Sequence, residues 1–145
     1  IWNVWDNFHP ADADGDDKDV KKLLARYARD IKAIDPDDIV LNEIERAEDV
    51  EELPQWLSDN VHNGIWQAHV GLETSDRTVI CSRYPMTMLA VNTVPGAWVG
   101  RGVTMALVDC PDDDIDLVVS GAFSSLSLLF APPPTDQTIL IIFFS

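Results

Sequence analysis

Residues 16–43 constrain the fold more than any other stretch. Val20, Leu23, Leu24, Tyr27, Ala28, Ile31 and Ile34 recur at i, i+3, i+4, i+7, i+8, i+11 and i+14, which is one stripe of an α-helix. Asp16 or Asp17 stands where an N-cap belongs. Asp35-Pro36-Asp37 predicts the stop, because a residue preceding proline is pushed out of the α region. Ile39-Val40-Leu41 then supplies an apolar strand core ending in Asn42-Glu43. Upstream, residues 1–5 alternate bulky side chains around Asn3 and read as a short strand, followed by a polar loop over residues 6–19. Strand, helix, strand predicts an α/β arrangement with residues 1–5 and 39–43 in one sheet. Residues 48–59 read as a short helix broken near Pro54.

From residue 65 the texture changes. Short β-like runs at 65–70, 78–82, 86–91, 103–109 and 115–120 are separated by turn clusters such as Ser75-Asp76-Arg77 and Pro111-Asp112-Asp113-Asp114. These spacings fit antiparallel strands joined by hairpins. Ala131-Pro132-Pro133-Pro134 is a break, and residues 138–144 form a last apolar strand. The 145 residues suit one domain, large enough to bury a core without disulfide staples. Cys81 and Cys110 could form one bridge or none, which leaves the redox compartment and the localisation open. There is no apolar run of about 18 residues, so no membrane-spanning helix is expected. The chain opens within a strand and ends on a strand that nothing later covers, so a domain truncated at its C-terminus is the expectation.

The residue with the clearest chemical potential is Glu43. A carboxylate ending an apolar strand lies at the mouth of a sheet, where burial without a cation or donors costs several kcal/mol. Hard divalent cations prefer such oxygen ligands, and Mg²⁺ takes one or two carboxylates while keeping several waters. Asn3 supplies a partner for it, in a strand expected to neighbour residues 39–43.

Three elements in order carry a resemblance: Trp2-Asn3-Val4-Trp5, then Pro36-Asp37-Asp38-Ile39-Val40-Leu41-Asn42-Glu43, then Ser82-Arg83-Tyr84-Pro85. Over about residues 1–122 the chain resembles the endonuclease/exonuclease/phosphatase superfamily, with its DNase I-like fold. Gly100-Arg101-Gly102-Val103 leading into the next strand is also similar to that family. The resemblance implies a single partial domain over residues 1–145, a DNase I-like α/β sandwich of mixed sheets with outer helices. It implies a divalent-metal-dependent phosphoesterase that hydrolyses a phosphodiester or phosphomonoester. Glu43 would be the metal ligand for Mg²⁺ (or Mn²⁺), and Asn3 a catalytic residue orienting active-site groups and phosphate. The substrate would be nucleic acid, a phospholipid head group or an inositol phosphate, and no obligate protein partner is evident.

The chain departs from the family pattern in three places. Asn42 stands where the family has Gln, and Ala122 where it has His or Tyr. After residue 123 nothing matches the Gly-Asp-Phe-Asn-like and Ser-Asp-His-like elements that complete the site. Only half of an active site is legible, so the alternative is a non-catalytic remnant or binding module that keeps the first half of the fold.

Other patterns are weaker. Asp12, Asp14 and Asp16 have calcium-loop spacing, but Asp17 and Leu23 occupy the positions that need Gly and Glu. His9, His62 and His69 lack ligand spacing and read as single surface histidines. Cys81 reads as a small core residue, and the five Trp residues as core or rim packing. Lys18, Lys21, Lys22, Arg26, Arg29 and Lys32 place six of the ten bases on one helix, as a solvated face.

Charge sets the last expectation. Nineteen Asp and six Glu oppose four Lys and six Arg, for a net charge of -15. Such a surface disfavours unaided binding to nucleic-acid phosphates and suits a protein kept soluble in high salt. The Debye length falls from about 10 Å at 0.1 M to about 3 Å at 1 M, so neighbouring acids then stop repelling one another. Molar KCl is therefore expected to raise the thermal midpoint more than a neutral osmolyte matched for its effect on apolar burial. Equal protection by the osmolyte in a thermal melt would remove screening as the cause.

Overall fold

In the computed structural model, residues 2–4, 8–70, 77–88, 104–110, 117–121 and 140–142 are described. Helix α1 (Lys18–Ile34) begins where the Asp17 carboxylate accepts the N–H groups of Asp19 at 2.8 Å and Val20 at 3.3 Å. It ends at Asp35, whose left-handed backbone (φ 48°) closes the last turn by donating its N–H to Ile31 C=O. Aspartate tolerates that conformation better than most residues. Leu24 and Ile31 are buried, with Val20, Tyr27 and Ala28 packed beside them, while Ile34, the last residue of the helix, is 69% exposed.

Strands β1 (Trp2–Asn3) and β2 (Asp38–Ile44) flank this helix and pair in parallel, with Trp2 opposite Leu41 and Asn3 opposite Asn42. The expected strand–helix–strand unit is therefore present, although residues 1 and 5 of the first strand lie outside the described residues. Helix α2 (Ala47–Asn60) follows and runs through Pro54 without a break. The expected interruption does not occur because Asp49, Leu53, Trp56 and Leu57 form one continuous buried face across the proline. Tertiary packing outweighs the cost of one missing backbone donor there.

Strands β3 (Gln67–Val70) and β4 (Arg77–Ser82) complete the first sheet, in the order β1-β2-β4-β3. The second sheet has the order β5 (Met86–Met88), β6 (Thr104–Val108), β7 (Leu117–Gly121), β8 (Leu140–Ile142). The pairs β3–β4, β5–β6 and β6–β7 are antiparallel, as the spacings predict. β8 instead runs parallel to β7, with Val118 opposite Ile141. Residues 122–139 separate the two strands, which is long enough for the crossover that parallel pairing requires.

Two apolar layers hold these parts together. On the outer face of the first sheet, Ile39, Leu41, Ile44, Val79 and Cys81 meet Leu24, Ile31, Leu53, Trp56 and Leu57 of the helices. Phe8 joins them, edge-on to both Tyr27 (5.0 Å) and Trp56 (5.1 Å). Between the sheets lie Val40, Ile80, Ala106 and Val108. Cys81 is a core residue as expected, and burial pushes its thiol far above the ordinary range, so it stays protonated.

The fully buried carboxylate of Asp49 ties the segment after β1 to helix α2. It accepts the Ala11 N–H at 3.1 Å, sits 3.0 Å from His9 Nδ1, and pairs with Arg46 at 3.0 Å. Arg46 in turn grips Asp12 at 2.7 Å and holds that carboxyl below the usual aspartate range. His9 is thus part of a packed network and not a lone surface histidine. Removing one member of a buried ion pair strands the others, at a cost of about 3 kcal/mol. Asp49→Ala is expected to lose about that much in a urea titration.

The start of β2 carries the opposite effect. Asp38 has its carboxyl pKa raised by burial, a shift the Ser82 hydroxyl and Arg83 only partly offset, and Asp37 adds to it. A raised folded-state pKa means stability is greatest with the group protonated and falls as pH rises through that value. Asp38→Asn should therefore raise the denaturation midpoint at pH 7, and the gain should vanish below the ordinary aspartate pKa of about 3.9. An Asp38→Asn effect of the same size at both pH values would show that the carboxyl is not penalised.

Candidate functional site

Strand direction gathers the informative residues at one end of the sandwich. β1 and β2 are parallel, so Asn3 and Glu43 both lie at strand ends on the same edge of the fold. β4 runs antiparallel to β2 and contributes its first residues, with Arg77 opposite Ile44. Thr104 Oγ1 donates across the gap between sheets to Thr78 C=O, which brings the start of β6 to the same end. Thr104 pairs with Gly121, so the last residue of β7 is there too. Ala122, the position expected to lack a catalytic His or Tyr, follows Gly121 and lies outside the described residues.

Glu43 sits in a β-bulge. Leu41 pairs with Val79 and Ile44 with Arg77, so Asn42 and Glu43 together face the single residue Thr78. The cause lies in the packing. Strict alternation would put residues 39, 41 and 43 on the helix side, yet Ile39, Leu41 and Ile44 are the residues buried in that core. The extra residue resets the alternation, so Ile44 fills the core and the Glu43 carboxylate is left half-buried at the strand mouth. Glu43 adopts φ 66° to do this, a left-handed conformation that costs an L-residue with a Cβ about 1–2 kcal/mol. Strain of this kind persists only where surrounding structure over-determines it.

Hydrogen bonds hold the bulge from three sides. Val4 N–H donates to Asn42 C=O at 3.2 Å, extending the β1–β2 pairing. The buried Asn42 side chain accepts from Thr78 Oγ1 at 3.0 Å. Arg77 Nη1 donates to Glu45 C=O just beyond the bulge. Sequence reasoning did not identify Arg77, Thr78 or Thr104. The available signal was the spacing of Leu41 and Ile44, which are three apart where an unbroken strand face needs two.

The other candidates lie elsewhere or are otherwise engaged. Asp12 is occupied by Arg46, and Asp12, Asp14 and Asp16 are not gathered into a cage that could hold a cation. Among the described residues no group of three or more His, Cys, Asp or Glu side chains is placed to hold a metal ion. His69 lies on β3, and His62 is 3.7 Å from Asp35 at the opposite end of the sheet. Arg83, from the Ser-Arg-Tyr-Pro element, also sits at that end. It clasps the turn between α1 and β2 by donating to the carbonyls of Asp35 and Pro36 at 3.0 Å and 2.7 Å, with its guanidinium 5.5 Å from the Trp66 ring centre. The bases on α1 are exposed, and Arg26 and Arg29 pair with Asp30. No helix among the described residues is long and apolar enough to cross a membrane.

Among the described residues, Glu43 brings one carboxylate to this end of the fold. A hard, largely hydrated divalent cation takes only one or two carboxylates from a protein, so the residue type is compatible with such an ion.

No protein-family model matches the sequence, and no curated protein matches it. Solved structures do match. An endonuclease/exonuclease/phosphatase family protein from Leptotrichia buccalis superposes with a TM-score of 0.53 at 11% identity, over 86% of this chain and 54% of that one. The endonuclease/exonuclease/phosphatase from Beutenbergia cavernae gives a TM-score of 0.50 at 22% identity, over 82% of this chain and 36% of that one. The chain thus spans about half or less of the length of these proteins. Two facing mixed sheets, outer helices on the first sheet and this structural likeness give the chain the DNase I-like α/β fold of the endonuclease/exonuclease/phosphatase proteins.

Proposed function

We propose that the chain is part of a divalent-metal-dependent phosphoesterase, with Glu43 as the carboxylate that holds Mg²⁺ or Mn²⁺ and Asn3 as a catalytic residue orienting phosphate. The observation that carries this reading is the left-handed backbone of Glu43 in a bulge at the strand-end edge of the sandwich. A strained carboxylate kept where glycine would be relaxed is the pattern expected of a residue retained for function. The fold shared with endonuclease/exonuclease/phosphatase proteins supports phosphate-ester chemistry.

In this reading a bound Mg²⁺ would polarise a phosphoryl oxygen and stabilise the charge that develops on it. Glu43 contributes the fixed negative charge that retains the cation. Asn3, opposite Asn42 in the register and one position from Glu43, would supply a neutral donor toward the phosphate. The groups that would activate the attacking water are not identified among the described residues. Nucleic acid, a phospholipid head group and an inositol phosphate all remain within this substrate class. The second reading, a non-catalytic remnant or binding module, is favoured by Ala122 standing where the family pattern has His or Tyr.

Two measurements test the proposal. Mn²⁺ is expected to bind weakly and to broaden the Glu43 amide resonance, and Glu43→Ala should abolish that effect. In a polypeptide that turns over a phosphate ester, the same variant should lower turnover about 100-fold or more, since several kcal/mol of charge stabilisation is lost. Unchanged metal binding in Glu43→Ala would remove Glu43 from the site.

Glu43→Gly should separate function from stability. Both Glu43→Gly and Glu43→Ala lose the side chain and whatever it touches, but only glycine relieves the left-handed strain, at the cost of added freedom in the unfolded chain. Glu43→Gly is therefore expected to be more stable than Glu43→Ala by up to about 1 kcal/mol in a thermal melt. Equal stability of the two variants would mean that the left-handed backbone stores no strain.

A further inference from the structure

We infer that Thr78, acting with Asn42 and Thr104, is the positioning device that sets how Glu43 is presented; its functional meaning rests on the reading of Glu43 given above. The three side chains come from three strands, β2, β4 and β6, and two sheets. All three are buried polar residues: Asn42 is 7% exposed, Thr78 2% and Thr104 0%. They lie directly beside the bulge and adjoin the apolar layer of Val40, Ile80, Ala106 and Val108 at its Glu43 end. A buried polar cluster is retained only where its hydrogen bonds are made.

The bonds form a chain that leads to one backbone position. Thr104 Oγ1 donates to Thr78 C=O, anchoring β4 to the second sheet. Thr78 Oγ1 donates to Asn42 Oδ1 at 3.0 Å, which fixes the first residue of the bulge against β4. Val4 N–H holds the other side of Asn42 through its C=O at 3.2 Å. With Asn42 held on both sides and Ile44 drawn into the helix-side core, Glu43 is the residue that must absorb the extra length. Its φ of 66° is the result. Thr78 is the central member, because its hydroxyl and its carbonyl take part in different bonds of the chain. Both threonines are assigned the role of positioning residues, because the bonds argued from here act on Glu43 through Asn42 and the β4 backbone.

Thr78→Val keeps shape and volume but removes the hydroxyl, whereas Thr78→Ser keeps it. NMR of the full 145-residue chain reads φ at Glu43 directly, from its ¹³Cα shift and amide–Hα coupling, without any metal. Glu43 is expected to leave the positive-φ region in Thr78→Val and to stay there in Thr78→Ser. Mn²⁺ binding, followed by broadening of nearby amides, should weaken about 10-fold in the first variant and stay near wild type in the second. Retention of positive φ in Thr78→Val would overturn the inference and leave core alternation alone as the cause of the bulge. Loss of positive φ in a chain whose wild type shows no Mn²⁺ effect at Glu43 would support the inference while overturning the metal reading. Should Thr78→Val fail to fold, Thr104→Val against Thr104→Ser makes the same comparison one bond further from Glu43.

Discussion

The alternation of side chains along β2 is the constraint on which the rest of the structure depends. One face of this strand must cover the helices and the other must cover the second sheet, so each residue has one allowed side. Ile39 and Leu41 face α1 and α2, and Val40 faces the second sheet. Continued alternation would drive the Glu43 carboxylate into the helix-side core, where an unpaired charge costs several kcal/mol. A single extra residue removes that conflict. Ile44 takes the core position, and the backbone strain is concentrated at Glu43.

The helices can only exploit that face if they are held in place, and two arginines do this at opposite ends of the sheet. Arg46 joins Asp12 and the buried Asp49, which docks the 3₁₀ turn Pro10–Asp12 onto α2 beside Trp56. Arg83 gathers the carbonyls of Asp35 and Pro36 and the carboxylates of Asp35 and Asp37, which fixes the angle at which α1 hands the chain to β2. Both arginines act in partly buried settings, where charge-assisted hydrogen bonds are stronger than at the surface. The Ser-Arg-Tyr-Pro element therefore has a structural role in this chain. Its Ser82 oxygen accepts the Tyr84 N–H to form the turn, and its Arg83 closes the corner.

Much of this was legible one segment at a time. The stripe from Val20 to Ile31 specified α1, and Asp16-Asp17 and Asp35-Pro36-Asp37 marked its two ends, the structure choosing Asp17 as the cap. The placement of β1 and β2 in one sheet followed from strand–helix–strand order, the structure adding that they pair in parallel, and the short runs after residue 65 were read as strands close to their observed bounds. Pro54 misled because a local rule was applied to a helix whose buried face is set by tertiary contacts with the sheet. The direction of β8 was not legible, since a strand's apolar pattern is the same whichever way it pairs. His9 was misplaced for a related reason: its partner Asp49 is forty residues away, and no sequence signal links them.

The sequence by itself determined the local elements and that β2 ends in the carboxylate of Glu43. Those depend on periodicity, capping and the position of one carboxylate, all of which act over a few residues. Only the tertiary structure decided how Glu43 is presented, because its bulge is defined by register against Val79 and Arg77 and by polar contacts to Asn42 from Thr78 and to Thr78 from Thr104. Thr78 lies 36 residues from Asn42, and Thr104 lies 26 from Thr78. Interactions at such separations exist only once both sheets have formed, and no local pattern encodes them.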